Sequence, residues 1–220
     1  MSQERIFDVP STYDRIAGEY ARRIYGELKS KPMDRALLDR FAAIVGNQGV
    51  ICDLGCGPGQ IARYLKERGA RVCGMDLSRG MIECARRLNP GIAFHEGDMR
   101  DLPVPDNTWA GITAFYSIVN LAPGDVAQSL REIGRVLAPA GSLLLAFHIG
   151  DDTLHTEEDL WGLGVALDTT LFRLRTVMGY VEAAGLAVEE IVEREPYPPE
   201  VEYQSRRAYI FAHKSVTKTT

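Results

Sequence analysis

The sequence predicts an α/β fold: a parallel sheet covered by helices on both faces and ending in an antiparallel hairpin. Three features carry that expectation. Short apolar runs alternate with helical periodicity through most of the 220 residues. The run Val50-Ile51-Cys52-Asp53-Leu54 passes straight into a loop with Gly at every second position, Gly55-Cys56-Gly57-Pro58-Gly59, and a helical pattern opens behind it. The last two apolar runs have no helix between them, so they pair antiparallel.

Taken in order, helical patterns at Ser11–Tyr25 and Pro32–Val45 come first. A strand Val50–Asp53 leads to a helix Gln60–Arg68, and a strand Arg71–Asp76 leads to a helix Ser78–Leu88 with Ser78 as its N-cap. A short strand Ala93–His95 runs into Glu96-Gly97-Asp98-Met99. The turn residues Pro103, Pro105, Asp106 and Asn107 precede a strand Trp109–Tyr116. A helix Gly124–Leu137 stops before the turn Pro139-Ala140-Gly141, and Ser142–His148 is apolar enough for a central parallel strand. Asp151–Thr170 is polar, weakly periodic and read as irregular. A helix Leu171–Ala184 ends at Gly185, and the strands Val188–Arg194 and Arg207–His213 complete the chain.

Hydrophobic content of 45% and charged content of 25% are those of an ordinary soluble globular protein. The net charge of −5 gives no electrostatic reason to expect nucleic acid. Arg22-Arg23, Arg86-Arg87 and Arg206-Arg207 read as solvated faces. No apolar run approaches a membrane span, and Met1-Ser2-Gln3-Glu4-Arg5 lacks the apolar region of a signal peptide. Cys52, Cys56, Cys73 and Cys84 form no C-x-x-C pair, which argues against metal or redox use and for a reduced, cytoplasmic protein.

The glycine loop carries the functional signal. Glycines let backbone approach a ligand closely, and the helix behind them offers amides to an anionic group. Asp76 follows Gly55 by 21 residues, at the end of the second strand, where a carboxylate can grip the two hydroxyls of a ribose. The spacing departs from G-x-G-x-x-G, because position 60 is Gln and Pro58 removes a donor. No Gly-Lys-Ser/Thr follows, so the loop is not a P-loop. Asp-Leu-Gly-Cys-Gly-Pro-Gly closely resembles the first motif of the class I S-adenosylmethionine-dependent methyltransferases, here of the small-molecule type. The resemblance runs from about Asp53 to His213, with its specific motifs in the first half.

That resemblance implies a Rossmann-like doubly wound seven-stranded sheet of order 3-2-1-4-5-7-6. It also implies a single domain: N-terminal helical lid 1–46, cofactor-binding core 47–214 and flexible tail 215–220. S-adenosyl-L-methionine would be the cofactor. Gly55, Cys56, Gly57 and Gly59 would close on its methionine end, Asp53 would hold the amine directly or through water, and Asp76 would clasp the ribose. Met75 and Leu77 would pack near the adenine, with Asp98 accepting from the exocyclic amine and the Met99 amide meeting a ring nitrogen. Tyr13 and Tyr20 lie seven apart on one helical face and resemble a lid over the sulfonium. Tyr116 sits where the methyl would leave, and His148 is the best-placed general base, though methyl transfer need not use one. His155 is a weaker candidate.

The acceptor would be a small molecule with an O, N, S or C nucleophile. Its pocket is expected from Tyr13–Tyr25, Asp151–Thr170 and Pro196–Gln204. No metal, membrane or nucleic-acid partner is expected, and the oligomeric state is not legible. Two other readings stand beside this one: a nicotinamide-dependent oxidoreductase, and a cofactor-binding regulatory module without catalysis. The first shares the strand, glycine loop and distal carboxylate, and the glycine loop does not exclude the second.

Overall fold

The computed structural model describes residues 8–215. Fifteen regular elements alternate along it: α1 (Val9–Ile24), α2 (Pro32–Val45), β1 (Val50–Leu54), α3 (Gln60–Glu67), β2 (Arg71–Asp76), α4 (Arg79–Leu88), β3 (Ala93–Glu96), β4 (Trp109–Phe115), α5 (Pro123–Val136), β5 (Leu137–His148), β6 (Thr153–Glu157), β7 (Leu167–Leu171), α6 (Leu174–Ala183), β8 (Leu186–Arg194) and β9 (Arg207–Lys214). Seven strands form one sheet in the order β3-β2-β1-β4-β5-β9-β8. Pairing is parallel from β3 through β5, and β9 runs antiparallel to both β5 and β8. This is the expected sheet, with the closing hairpin numbered β8–β9 because β6 and β7 pair with each other.

Alternation along the central strands divides the core into two layers. Leu143, Leu145 and Phe147 face α5 and α6 together with Ile112, Ala114 and Ile210, whereas Leu144, Ala146, Tyr209 and Phe211 face α2 and α3. All seven residues of β4 are buried, as a middle strand covered on both faces requires. Leu38 and Phe41 of α2 are fully buried beside Ile51, so α2 is a layer of the core. Part of the cover over the sheet's carboxyl end comes from α1, while α2, the other helix of the expected 1–46 lid, packs into the core.

Several local expectations hold. Pro32 opens α2, and the Ser78 hydroxyl caps α4 by accepting from the Met81 amide at 3.1 Å. Ala140, at φ +61, stands in a bulge that lies inside β5, so the strand begins at Leu137. The irregular reading of Asp151–Thr170 is replaced by the β6–β7 hairpin. Side chains on β6 are exposed or half-buried by turns, which left no apolar stripe to read. Of the expected flexible tail 215–220, residues 216–220 lie outside the described residues, as does the N-terminal segment 1–7.

Candidate functional site

A cavity of about 320 Å³ opens at the carboxyl ends of β1, β2, β4 and β5, roofed by α1 and the β6–β7 hairpin. Its floor is the glycine loop. The amides of Gly55 and Cys56 both donate to the Met75 carbonyl, at 2.8 and 3.0 Å. The Gly57 amide donates to Asp76 Oδ2 at 2.8 Å, and the Gly59 amide to the Cys56 carbonyl at 2.9 Å. Pro58 has no amide hydrogen. Every donor from residue 55 to 59 is therefore already taken within the protein, and the loop offers no nest for a pyrophosphate. Gly55 adopts φ +67, and a Cβ there would lie 2.3 Å from that of Ser117. The loop can sit this close to the exit of β4 only without a side chain.

Asp76 is clamped at the tip of β2. Its two oxygens accept from the Gly57 amide at 2.8 Å and the Ser78 amide at 2.9 Å, which fixes the carboxylate on the cavity wall with lone pairs to spare. Burial raises its carboxyl, and those two amides pull it back. Asp53 takes a different place. It is sealed beneath the loop, 1% exposed, outside the residues that line the cavity, and Oδ1 accepts from Thr113 at 2.9 Å. Among the described residues Oδ2 has no hydrogen-bond partner. Burial pushes this carboxyl up to about 7, against the pull of the Thr113 hydroxyl and the Ala62 amide. The expected hold on a ligand amine, directly or through water, thus falls to a carboxylate that lies one layer below the cavity and braces the loop.

Met75, Leu77, Asp98 and Met99 line the cavity together. Asp98 is already engaged, since the Arg100 guanidinium donates to both of its oxygens at 2.7–3.0 Å. Burial raises the Asp98 carboxyl, but Arg100 outweighs it and holds the group below its ordinary value. On the roof, the rings of Tyr13 and Tyr20 meet edge to face at 5.6 Å, so α1 does present both to the cavity. Tyr13 donates to Asn120 Oδ1 at 3.0 Å, and Asn120 donates to the Asp168 carbonyl at 2.8 Å. Tyr20 and Arg23 both rest on Trp161 of the β6–β7 connection, at 5.8 and 4.9 Å. The Asp14 carboxylate accepts from Ser78 Oγ and the Gly80 amide, anchoring α1 on the first turn of α4.

The far wall holds Tyr116 and His148, with ring centres 5.1 Å apart. Tyr116 adopts φ +56, a left-handed conformation costly for an aromatic residue. Its hydroxyl meets Tyr209 at 2.9 Å and Asp34 at 3.3 Å, so the polar end points away into the protein. Burial, then Tyr209 and Asp34, raise this phenol further. His148 Nδ1 lies 2.8 Å from Ser205 Oγ. Burial first, then the cations Arg207 and Lys31, push its imidazole down to about 3. His155 is near this wall but outside the lining, its ring 5.6 Å from that of Tyr203.

Behind the wall runs a buried ion network absent from the sequence reading. Arg194 donates to Asp34 at 3.1 Å and to both Glu202 oxygens, and Lys31 reaches Glu202 at 3.5 Å. Burial raises the Glu202 carboxyl, but Arg194 dominates and brings it down to about 2. Arg207 is 2% exposed, which corrects its assignment to a solvated Arg pair; only Arg206 is exposed. The available signal was a charge opening the apolar strand Arg207-Ala208-Tyr209-Ile210-Phe211. Each expected pocket segment contributes to the lining: Tyr20 and Ile24 from the first, Trp161 and Thr169 from the second, Val201 and Tyr203 from the third.

Residues 51–141 match a family model described as a methyltransferase domain. The match places a methyltransferase domain within residues 51–141 of this chain. It is 32% identical over 138 residues to the malonyl-[acyl-carrier protein] O-methyltransferase of Serratia marcescens, covering 63% of this chain and 51% of that protein. It is also 32% identical over 143 residues to the demethylmenaquinone methyltransferase of Beutenbergia cavernae, covering 63% and 57%. The chain thus spans about half the length of these relatives. A solved SAM-dependent methyltransferase from Methanosarcina mazei superposes with a TM-score of 0.70 at 17% identity, over 77% of this chain and 93% of that one, which is a likeness of fold. The residues present fit S-adenosylmethionine: a diol would find a fixed carboxylate in Asp76, and a ligand without phosphate would need none of the loop's occupied amides. Among the described residues no helix is long and apolar enough to cross a membrane, and no cluster of metal-ligating side chains occurs.

Proposed function

We propose that the domain transfers a methyl group from S-adenosylmethionine to a small-molecule acceptor. The observation that carries this reading is the clamped Asp76 carboxylate beside a glycine loop with no free donor. That combination suits a nucleoside without a phosphate, and it disfavours a nicotinamide dinucleotide. Asp76 would accept from the ribose hydroxyls, and Leu77, Asp98 and Met99 would surround the adenine. Gly55, Cys56, Gly57 and Gly59 would lie against the methionine end, with Asp53 bracing them from below. Tyr13 and Tyr20 would cover the cationic centre with their rings.

The cofactor supplies a methyl group already activated by a sulfonium. The protein's share is then alignment and dryness: a closed cavity that holds the acceptor in line with that methyl. Tyr116 and His148 form the wall on which the acceptor would rest. By their names the relatives above act on malonyl-[acyl-carrier protein] and on demethylmenaquinone, which supports a small-molecule acceptor here. The free cysteines support a reducing, cytoplasmic setting. Calorimetry with S-adenosylmethionine and with NAD tests the reading. Asp76→Ala should weaken S-adenosylmethionine binding by at least about tenfold, the value of one or two charge-assisted hydrogen bonds. Unchanged affinity, or tighter binding of NAD, would overturn it.

A further inference from the structure

We propose that His148 serves the methyl acceptor as a hydrogen-bond donor through Nε2–H, and that Ser205 is the positioning residue that fixes this orientation. The inference rests on the methyl-transfer reading for the identity of the acceptor, but its geometry stands alone. Arg207 Nη1 lies 2.5 Å from Ser205 Oγ, and a guanidinium only donates. It occupies one lone pair of the hydroxyl. The hydroxyl keeps one hydrogen, and among the described residues its other partner is His148 Nδ1 at 2.8 Å. If Nδ1 carried a proton, two donors would converge on one buried oxygen and the hydroxyl hydrogen would be left unpaired. Ser205 therefore donates to Nδ1, and the ring proton resides on Nε2. The positive charge of Arg207 polarises the hydroxyl in the same sense.

The surroundings keep the ring neutral. Arg207 from β9, Lys31 before α2 and Arg194 at the end of β8 all disfavour imidazolium, and Glu202 alone opposes them. Tyr116 and Tyr203 flank the ring as neutral aromatic faces. Nε2 has no protein partner among the described residues, and His148 lines the cavity. With Nδ1 capped and Nε2 carrying hydrogen, no nitrogen of this ring can take a proton from the acceptor. The expected role of general base is thereby replaced by recognition. The acceptor class that satisfies the donor carries a lone-pair oxygen, of carbonyl, carboxylate or ether type, beside a nucleophile that needs no proton removed by this residue. S-adenosylmethionine, when bound, would supply the methyl group to the lone pair of a nucleophile that is already deprotonated or fully substituted and would be left as a neutral thioether, while His148 keeps its proton throughout.

The test reads the tautomer directly. Long-range proton–nitrogen NMR on ¹⁵N-histidine-labelled protein, with His148→Gln to assign the signals, should give a pyridine-type Nδ1 and a pyrrole-type Nε2. The pattern should not change between about pH 5 and about pH 9. Ser205→Thr should preserve it, and Ser205→Ala should give a tautomer mixture and lower kcat/KM by about tenfold, the scale of one lost hydrogen bond. A pyridine-type Nε2 in the wild-type protein, or an imidazolium titrating near the ordinary histidine value, overturns the proposal whether or not the Ser205 variants fold. Because the spectrum needs neither cofactor nor acceptor, it separates this inference from the methyl-transfer reading. Failure to bind S-adenosylmethionine would sink that reading and leave the tautomer as found.

Discussion

Asp53→Asn isolates the electrostatic cost of the brace under the glycine loop. In the folded protein the carboxyl is raised from 3.8 to about 7, chiefly by burial. A raised folded value means that the native state holds the proton more tightly than the unfolded chain. The stabilisation is complete below about pH 4 and is lost as pH climbs through about 7. The whole shift corresponds to about 4 kcal/mol, of which the part between pH 5 and pH 8 is about 2.7 kcal/mol. Asparagine keeps the shape and the Thr113 hydrogen bond but cannot ionise. Urea unfolding of both proteins at pH 5 and pH 8 measures the difference, since other titrating groups cancel in the comparison. The wild-type protein should lose about 2–3 kcal/mol relative to the variant across that interval. Parallel pH dependences in the two proteins would refute the reasoning, because they would mean the carboxylate is solvated or paired when charged.

Two further substitutions probe the frame around the cavity. Gly55→Ala combines a left-handed φ of +67 with a Cβ 2.3 Å from that of Ser117, so it should cost about 2–4 kcal/mol in urea unfolding; adding Ser117→Gly should recover only the steric part. Arg194→Met removes the guanidinium shared by the buried carboxylates of Asp34 and Glu202, 1% and 3% exposed, leaving Lys31 and Arg207 near Glu202 and the tyrosine hydroxyls on Asp34, and should cost about 3 kcal/mol; pairing it with Asp34→Asn should cost less than the sum of the two single changes.

The scaffold was legible because its signals are local. Val50–Leu54, the glycine loop and Arg71–Asp76 announce themselves by period and composition, and Ser78 by its capping chemistry. The placement of Asp76 followed from its spacing from Gly55 and from the end of the second strand. Asp53 did not, because the sequence cannot distinguish a carboxylate at the cavity from one a layer beneath it, and the Thr113 partner lies 60 residues away. The hairpin of β6 and β7 escaped because its alternation is shallow and its partner is neither the core nor the main sheet. The network of Asp34, Arg194 and Glu202 joins residues up to 160 positions apart and leaves no trace in spacing. The left-handed Tyr116 is equally silent, since nothing in a tyrosine signals a strained backbone.

The glycine loop reaches the cleft with its hydrogen bonds already closed upon β2 and upon itself. A guest therefore meets a mould that was cast before its arrival, and little main-chain ordering entropy remains to be lost on docking. Discrimination at this end then comes from leftover lone pairs and from contour, which reject an ill-shaped visitor without any movement of the floor.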